Sequence, residues 1–164
     1  MTVYHDRRRI EVVETNEIPR LDILFRFGPT VPFIFGVVVA WWFPEPWRLT
    51  ALQLTALWGT AIMLFLSGVR RGLSFRTKNG PTLSQMATML MLFGLGLSSL
   101  GALWLGQVIW ALILLLAGYS SIFLLDPIAA RRGEAPLYFE RLRRFQMPIV
   151  VLALAVSTII AVRA

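Results

Sequence analysis

The chain has 164 residues, of which 57% are hydrophobic and 15% are charged, and its mean hydropathy is +0.68. So apolar a composition is rare in a soluble domain of this size, and the absence of cysteine excludes disulfides, thiolate metal sites, iron–sulfur clusters and cysteine nucleophiles. The formal charge of +7 suits a nucleic-acid-binding protein, but the basic residues stand between the apolar stretches and not within them, which indicates a membrane protein and no nucleic-acid partner.

Residues 1–24 form a polar arm that mixes basic and acidic side chains. A secretory signal would place an apolar stretch directly after its first charges, and a mitochondrial presequence would be poor in acids, so the arm is predicted to be a cytoplasmic anchor. The only histidine, His5, lies in this arm. Because a single imidazole there has no second one with which to hold a haem or a metal, we expect no cofactor.

Four uncharged apolar stretches follow the arm, and they predict an all-α bundle of about five transmembrane helices within residues 25–162. A hydrocarbon core of about 30 Å requires roughly 20 helical residues, so the third stretch, 83–125, is long enough for two crossings. Glycines and a tryptophan within 101–107 indicate the turn between them. The five helices are expected near residues 25–43, 49–69, 83–104, 107–125 and 146–162.

Local residue chemistry agrees with these helix ends. Pro44 is expected to end the first helix, and Thr82 with Gln85 matches the reciprocal capping box that opens the third. Asp126 before Pro127 predicts an N-cap that starts a new short helix outside the membrane. Two loops, 70–82 and 126–145, then lie on the same side of the membrane as the arm.

The distribution of charge predicts the orientation of this bundle. Fourteen of the 16 lysines and arginines fall within residues 1–26 and in the two loops on the same side, whereas only Arg48 and Arg163 fall on the opposite side. The positive-inside rule therefore predicts an inner N-terminus and an outer C-terminus, in a bacterial cytoplasmic membrane or, in a eukaryote, the mitochondrial inner membrane. Five of the six tryptophans flank the outer loops, as an interfacial aromatic belt does: Trp41, Trp42, Trp47, Trp104 and Trp110.

Small residues recur at four-residue spacing in the third helix, at Gly94, Ser98, Ala102 and Gly106. Helices in lipid associate where small side chains let their backbones approach, so this series predicts a packing seam within the bundle or toward a partner subunit. The alternative is that glycine and alanine are simply common in such helices. Shorter series occur in the fifth and first helices: Ala153, Ser157 and Ala161, and Gly36 and Ala40.

The two inner loops carry arginines that are candidates for contact with anionic lipid headgroups. Each such contact near a membrane surface is worth about 1 kcal/mol. The segment Leu137–Phe145 combines apolar and basic residues as an amphipathic interfacial helix does. The alternative is that these arginines only fix the topology. The candidates are Arg71, Arg76, Arg141, Arg143 and Arg144.

Within the four uncharged stretches, the polar side chains are amides and hydroxyls. A charge at the bilayer centre costs at least about 2.5 kcal/mol, so its absence weighs against a proton-coupled carrier, and without a catalytic constellation we expect no enzyme. These features favour a non-catalytic accessory or assembly subunit of a larger membrane complex, respiratory or photosynthetic. The alternative is a small channel, transporter or lipid-handling protein with a polar path past Gln53, Gln85 and Ser98.

Three stretches, 18–20, 65–72 and 124–143, together resemble a membrane family of proteobacteria and mitochondria. It is a domain-of-unknown-function family that includes the mammalian transmembrane protein sixty-nine. The resemblance implies a five-helix inner-membrane protein with no established activity. It directs attention to Arg70 and Asp126, at the inner ends of the second and fourth helices, which we hypothesise form an ion pair; the alternative is that both are solvated topology markers. The other residues of the family pattern are Gly68, Gly72 and Tyr138.

Overall fold

The structure is a computed structural model that describes residues 27–75, 80–131 and 137–163, with the segments 127–131 and 137–145 described as backbone only. Over these ranges the chain is all-α. A short 3-10 turn, Gly28–Thr30, leads into five α-helices. They are α1 (Val31–Trp42), α2 (Trp47–Ser74), α3 (Leu83–Trp104), α4 (Val108–Arg131) and α5 (Leu137–Arg163).

Four of the helices in the described ranges are long and apolar enough to cross a membrane. Their candidate spans are Trp47–Ser74, Leu83–Trp104, Val108–Asp126 and Gln146–Arg163. The remaining apolar helical segment, Gly28–Trp42, is shorter. At 1.5 Å per residue α2 rises about 42 Å and Gly28–Trp42 about 23 Å, against a hydrocarbon core of about 30 Å.

Interhelical contacts define how the helices run. Helices α2 and α4 are parallel neighbours. Gly59 of α2 packs on Leu115 of α4, and about one turn further along both helices Met63 of α2 packs on Gly118 of α4. Helix α3 is antiparallel to both and contacts α2 where Gly96 meets Leu64. Helix α1 packs on α2, and α5 closes the bundle by packing on α4 and α1.

The two ends of the bundle differ in composition. The α1–α2 turn at 43–46 and the α3–α4 turn at 105–107 lie at one end, which we call the tryptophan end. Arg70, Arg71 and Asp126 lie at the other, which we call the arginine end. Large exposed side chains surround the first end: Trp41, Trp42, Trp47, Trp104 and Trp110.

Two helix ends are as the sequence predicts. The Thr82 backbone nitrogen donates to Gln85 Oε1 at 3.1 Å and the Gln85 backbone nitrogen donates to Thr82 Oγ1 at 3.2 Å, which confirms the capping box of α3. The predicted turn before α4 is confirmed too. Gly106 takes a positive φ of 72° there, a backbone conformation that a residue with a Cβ rarely adopts.

The helices at the arginine end are longer than predicted. Helix α2 continues past 69 to Ser74, whose hydroxyl donates to the Arg71 carbonyl oxygen at 2.7 Å. Helix α4 continues through Pro127 to Arg131, so the short helix predicted to start at Asp126 is wrong. The physical reason is that the Asp126 carboxylate pairs with Arg70 instead of capping a new helix. Pro127 removes one backbone donor and its ring crowds the carbonyl four residues earlier, yet α4 continues four residues beyond it.

Helix α5 likewise begins earlier than predicted, at Leu137 and not near 146. The segment predicted as an interfacial helix is therefore continuous with the fifth predicted span, and Pro148 lies inside the helix. The predicted inner loops, 70–82 and 126–145, shrink accordingly to the segments between Ser74 and Leu83 and between Arg131 and Leu137.

Candidate functional site

At the arginine end, Arg70 of α2 and Asp126 of α4 form an ion pair in which the guanidinium Nη2 donates to the carboxylate Oδ1. The two side chains meet because α2 and α4 run parallel. They are only 14% and 12% exposed, so the pair is largely shielded from solvent. The hypothesised pairing is therefore present in the structure, whereas the alternative of two solvated charges does not fit this burial.

Beside this pair, Arg71 joins α2 to α3. Its Nη1 lies 3.0 Å from Met86 Sδ, and its guanidinium carbon lies 4.3 Å from the centre of the Phe75 ring. Both contacts leave the residue half-buried. The Arg71 guanidinium is thus held over an aromatic ring at a helix end, where an anionic lipid headgroup could contact it. That Arg71 binds a headgroup stays a prediction.

The other headgroup candidates lie outside what the structure describes. Arg76 falls between the described ranges 27–75 and 80–131, and the polar arm of residues 1–24 precedes the first of them. The remaining headgroup candidates, and the family-pattern residue Tyr138, fall in the backbone-only part of α5: Arg141, Arg143 and Arg144.

Of the predicted small-residue seam of α3, only Ala102 packs against the core of the bundle. Gly94 and Ser98 are exposed and an added Cβ at Gly94 would meet nothing within 4 Å; Ala102 is half-buried and Gly106 is in the turn. The face that does pack carries Gly96 and the fully buried Ser99. Two residues along a helix correspond to a rotation of about 200°, so Gly94 and Gly96 lie on opposite faces.

Gly68 and Gly72 of α2 are exposed as well, and an added Cβ at either would meet nothing within 4 Å. The shorter series behave differently. In α1, Gly36 lies against Thr55, and Ala40 is fully buried. In α5, Ala153 and Ser157 are buried. The structure therefore confirms packing seams in α1 and α5. For α3 it does not confirm that Gly94 and Ser98 pack within the bundle, and a seam toward a partner subunit stays a prediction.

Buried polar contacts link the helices near the middle of the bundle. Thr60 of α2 and Ser99 of α3 lie 2.9 Å apart through their hydroxyl oxygens, and Ser99 also donates to the Ala111 carbonyl oxygen of α4 at 3.2 Å. The Tyr119 hydroxyl donates to the Gly59 carbonyl oxygen at 2.9 Å. Its ring lies edge-on to Phe33, with 5.8 Å between ring centres. Sequence reasoning did not single out Tyr119.

The structure does not bring together the three residues of the predicted polar path. Gln53 and Ser98 are exposed on the outside of the bundle, whereas Gln85 is buried in the capping box at the arginine end. In the ranges 27–75, 80–131 and 137–163, no three histidine, aspartate, glutamate or cysteine side chains are grouped closely enough to hold a metal ion.

An open apolar groove of about 810 Å³ lies between α1 and α2. Three polar side chains in its lining bond to backbone carbonyl oxygens: Thr50 to Pro46 at 3.1 Å, Thr55 to Ala51 at 2.7 Å and the Trp58 indole to Pro29 at 2.9 Å. The groove therefore offers a ligand mainly hydrocarbon contact. Its apolar lining includes Pro32, Phe35, Val39, Phe43, Trp47, Leu54, Leu57 and Ala61.

Comparison of the chain with protein-family models, with curated proteins and with solved structures finds no match. The resemblance of the stretches 18–20, 65–72 and 124–143 to a domain-of-unknown-function family therefore stays a prediction. What the chain does has to follow from its own contacts and surfaces.

Proposed function

We propose that the chain crosses a bilayer five times, with an inner N-terminus and an outer C-terminus. The four long apolar helices supply four crossings, and α1, antiparallel to α2 along the contacts of Phe33 with Gly59 and Gly36 with Thr55, supplies the other. The exposed tryptophans lie at one end of the bundle, and most lysines and arginines of the sequence belong to the segments at the other end, which supports this orientation. The bacterial cytoplasmic membrane is the proposed location, or the mitochondrial inner membrane in a eukaryote.

Within that membrane, the chain acts as a non-catalytic accessory or assembly subunit of a larger complex, respiratory or photosynthetic. One observation carries this proposal: only 17% of the α3 span is buried, against 33% to 39% of the three other long spans. Its outward face presents Gly94 and Ser98, which gain nothing from lipid but allow close approach of a partner helix. Membrane lipids with anionic headgroups at the inner face are the other proposed partners.

Site-specific crosslinking tests this proposal, because the chain has no cysteine of its own. A benzophenone attached at Ser98→Cys in native membranes should give one discrete protein adduct. Ile113→Cys is the matched control, since Ile113 is exposed on α4 and the Ser99–Ala111 hydrogen bond puts it at the same depth. Gly94→Leu should abolish the adduct from position 98. Equal adducts from positions 98 and 113, or an adduct that survives Gly94→Leu, would contradict the proposal.

A further inference from the structure

Two neighbouring arginines at the end of α2 are in different electrostatic situations. Arg70 is paired with the Asp126 carboxylate and is only 14% exposed. Arg71 instead contacts the Met86 sulfur at 3.0 Å and the Phe75 ring at 4.3 Å, and neither of these groups carries a charge. Among the residues that the structure describes, no carboxylate lies within salt-bridge distance of Arg71, so its positive charge is not neutralised by a side chain.

The contacts of Arg71 use only part of its hydrogen-bonding capacity. A guanidinium has five N–H donors and no acceptor, and a thioether sulfur, which Nη1 contacts here, is a weak acceptor. The enclosed side-chain nitrogen without a partner in the described ranges is Nε of Arg70, not a nitrogen of Arg71. The Nε and Nη2 atoms of Arg71 are therefore open to an acceptor from outside the bundle.

The contact with Met86 places the Arg71 guanidinium beside the first turn of α3. Side chains lean toward the N-terminus of their helix, so the Met86 sulfur lies over the turn that follows Thr82. Thr82 caps the backbone N–H of Gln85, and the first turn of α3 contains no acidic residue. Because a helix N-terminus carries a partial positive charge, it adds to the charge of Arg71 and attracts an anion to the same place.

Large apolar side chains flank this positive site. Phe75 is 66% exposed and Leu83 is 90% exposed, and Leu83 lies on the same face of α3 as Met86, three residues earlier. A soluble anion gains nothing from such neighbours, whereas the acyl chains of a lipid bury their surface. The combination of a free cationic edge with exposed hydrocarbon therefore favours a phospholipid over free phosphate.

We infer that Arg71 binds the phosphate of an anionic phospholipid from the leaflet at the arginine end. Its Nε and Nη2 donate to two phosphate oxygens, the bidentate geometry that a guanidinium offers. Phe75 and Met86 are positioning residues that hold the guanidinium, and the acyl chains lie beside Phe75 and Leu83. The α3 N-terminus disfavours a headgroup that carries an ammonium group, so the site prefers a headgroup with a net negative charge.

This inference gives the proposed contact with anionic lipids a definite site. It rests on the proposed membrane crossing, but not on the orientation of the bundle or on a partner for α3. The alternative is that Arg71, in the last turn of α2, interacts only with the C-terminal dipole of that helix. In that case, removing its charge would not change which lipid the protein retains.

Native mass spectrometry of the full chain, released from nanodiscs with equal amounts of phosphatidylglycerol and phosphatidylcholine, tests the site. We expect a retained phosphatidylglycerol, and retention about five-fold lower in Arg71→Gln. Arg163→Gln removes one charge from an exposed helix end at the opposite side of the bundle and should retain the lipid as the unmodified chain does. Equal retention by Arg71→Gln with unchanged helix content by circular dichroism, or equal retention of both lipids by the unmodified chain, would overturn the inference.

Two further variants test the geometry of the site. Arg71→Lys keeps the charge but loses the planar fork, so its retention should fall between those of the unmodified chain and Arg71→Gln. Phe75→Leu keeps an apolar side chain but removes the ring against which the guanidinium packs, and it should lower retention with no change of charge. Full retention in both variants would contradict the proposed geometry.

Inorganic phosphate distinguishes the two sources of the anion. Added to the lipid-bound protein in detergent, it should leave the phosphatidylglycerol in place, because the acyl chains contribute to binding. Displacement of the lipid by inorganic phosphate would assign the site to a soluble phosphate and overturn the lipid assignment. Both leaflets of a nanodisc contain the same lipids, so these results do not depend on orientation, and a failure here leaves the crosslinking test at position 98 unaffected.

Discussion

Thr60 and Ser99 lie 2.9 Å apart through their hydroxyl oxygens, at a buried contact between α2 and α3. Because the Ser99 hydroxyl donates its only proton to the Ala111 carbonyl oxygen, Thr60 has to be the donor to Ser99. One serine thus joins three helices. Ser157 of α5 is equally buried, yet its hydroxyl has no hydrogen-bond partner among the described residues.

The same substitution at these two serines should have different effects. Ser99→Ala removes both bonds and should lower the free energy of unfolding, by about 0.6 kcal/mol per bond if they are average for hydrogen bonds between membrane helices and by about 1.7 kcal/mol per bond at most. Ser157→Ala removes a buried hydroxyl without a partner, and should be neutral or stabilising. Unfolding in mixed micelles measures both. A clear loss of stability in Ser157→Ala would mean that its hydroxyl has a partner.

Enlarging Gly36 tests the close approach of α1 and α2. An added Cβ would overlap Thr55 Oγ1, so Gly36→Ala should destabilise the bundle by about 1 to 3 kcal/mol. Adding Thr55→Ala removes the oxygen and should restore most of the loss. Gly68→Ala is the matched control, because its Cβ would meet nothing within 4 Å, and it should not destabilise. Equal effects at positions 36 and 68 would show that the helices do not approach here.

Charge exchange tests the ion pair at the arginine end. Arg70→Asp and Asp126→Arg each place two like charges together where both side chains are largely buried, and each should cost about 3 kcal/mol or more. The double variant restores opposite charges and should recover much of that loss. Arg163→Ala, at an exposed helix end, is a control expected to change stability little. A double variant no more stable than the single ones would contradict the pairing.

The positions of the helices could be predicted from the sequence, because long uncharged stretches leave few alternatives in lipid. The ion pair could be proposed from the sequence, because the family resemblance pointed to Arg70 and Asp126 and both lie toward the same ends of the second and fourth helices; the sequence left open the alternative of two solvated charges. The continuation of α4 through Pro127 could not be predicted, because Asp-Pro is a typical start of a helix. Only the structure shows that the Asp126 carboxylate pairs with Arg70.

Which face of α3 points inward was not readable from the sequence. In water an apolar stripe identifies the buried face, but a helix in lipid is apolar on all sides, and both Gly94 and Gly96 qualify for a seam. Only the structure shows that Leu64 of α2 packs against Gly96, which makes the Gly96 side of α3 the inward face. The groove between α1 and α2 is hidden for a related reason, because its shape depends on how side chains of two helices interlock.

The central claim is that the tryptophan end and the arginine end face opposite sides of a membrane, and single-cysteine labelling of intact cells tests it most directly. Glu45→Cys and Gln107→Cys lie in or beside the two turns at the tryptophan end, and Phe75→Cys lies at the arginine end; all three positions are exposed. We predict that a membrane-impermeant maleimide labels positions 45 and 107 from outside, and position 75 only after permeabilisation. Labelling of positions 75 and 107 from the same side would contradict the claim.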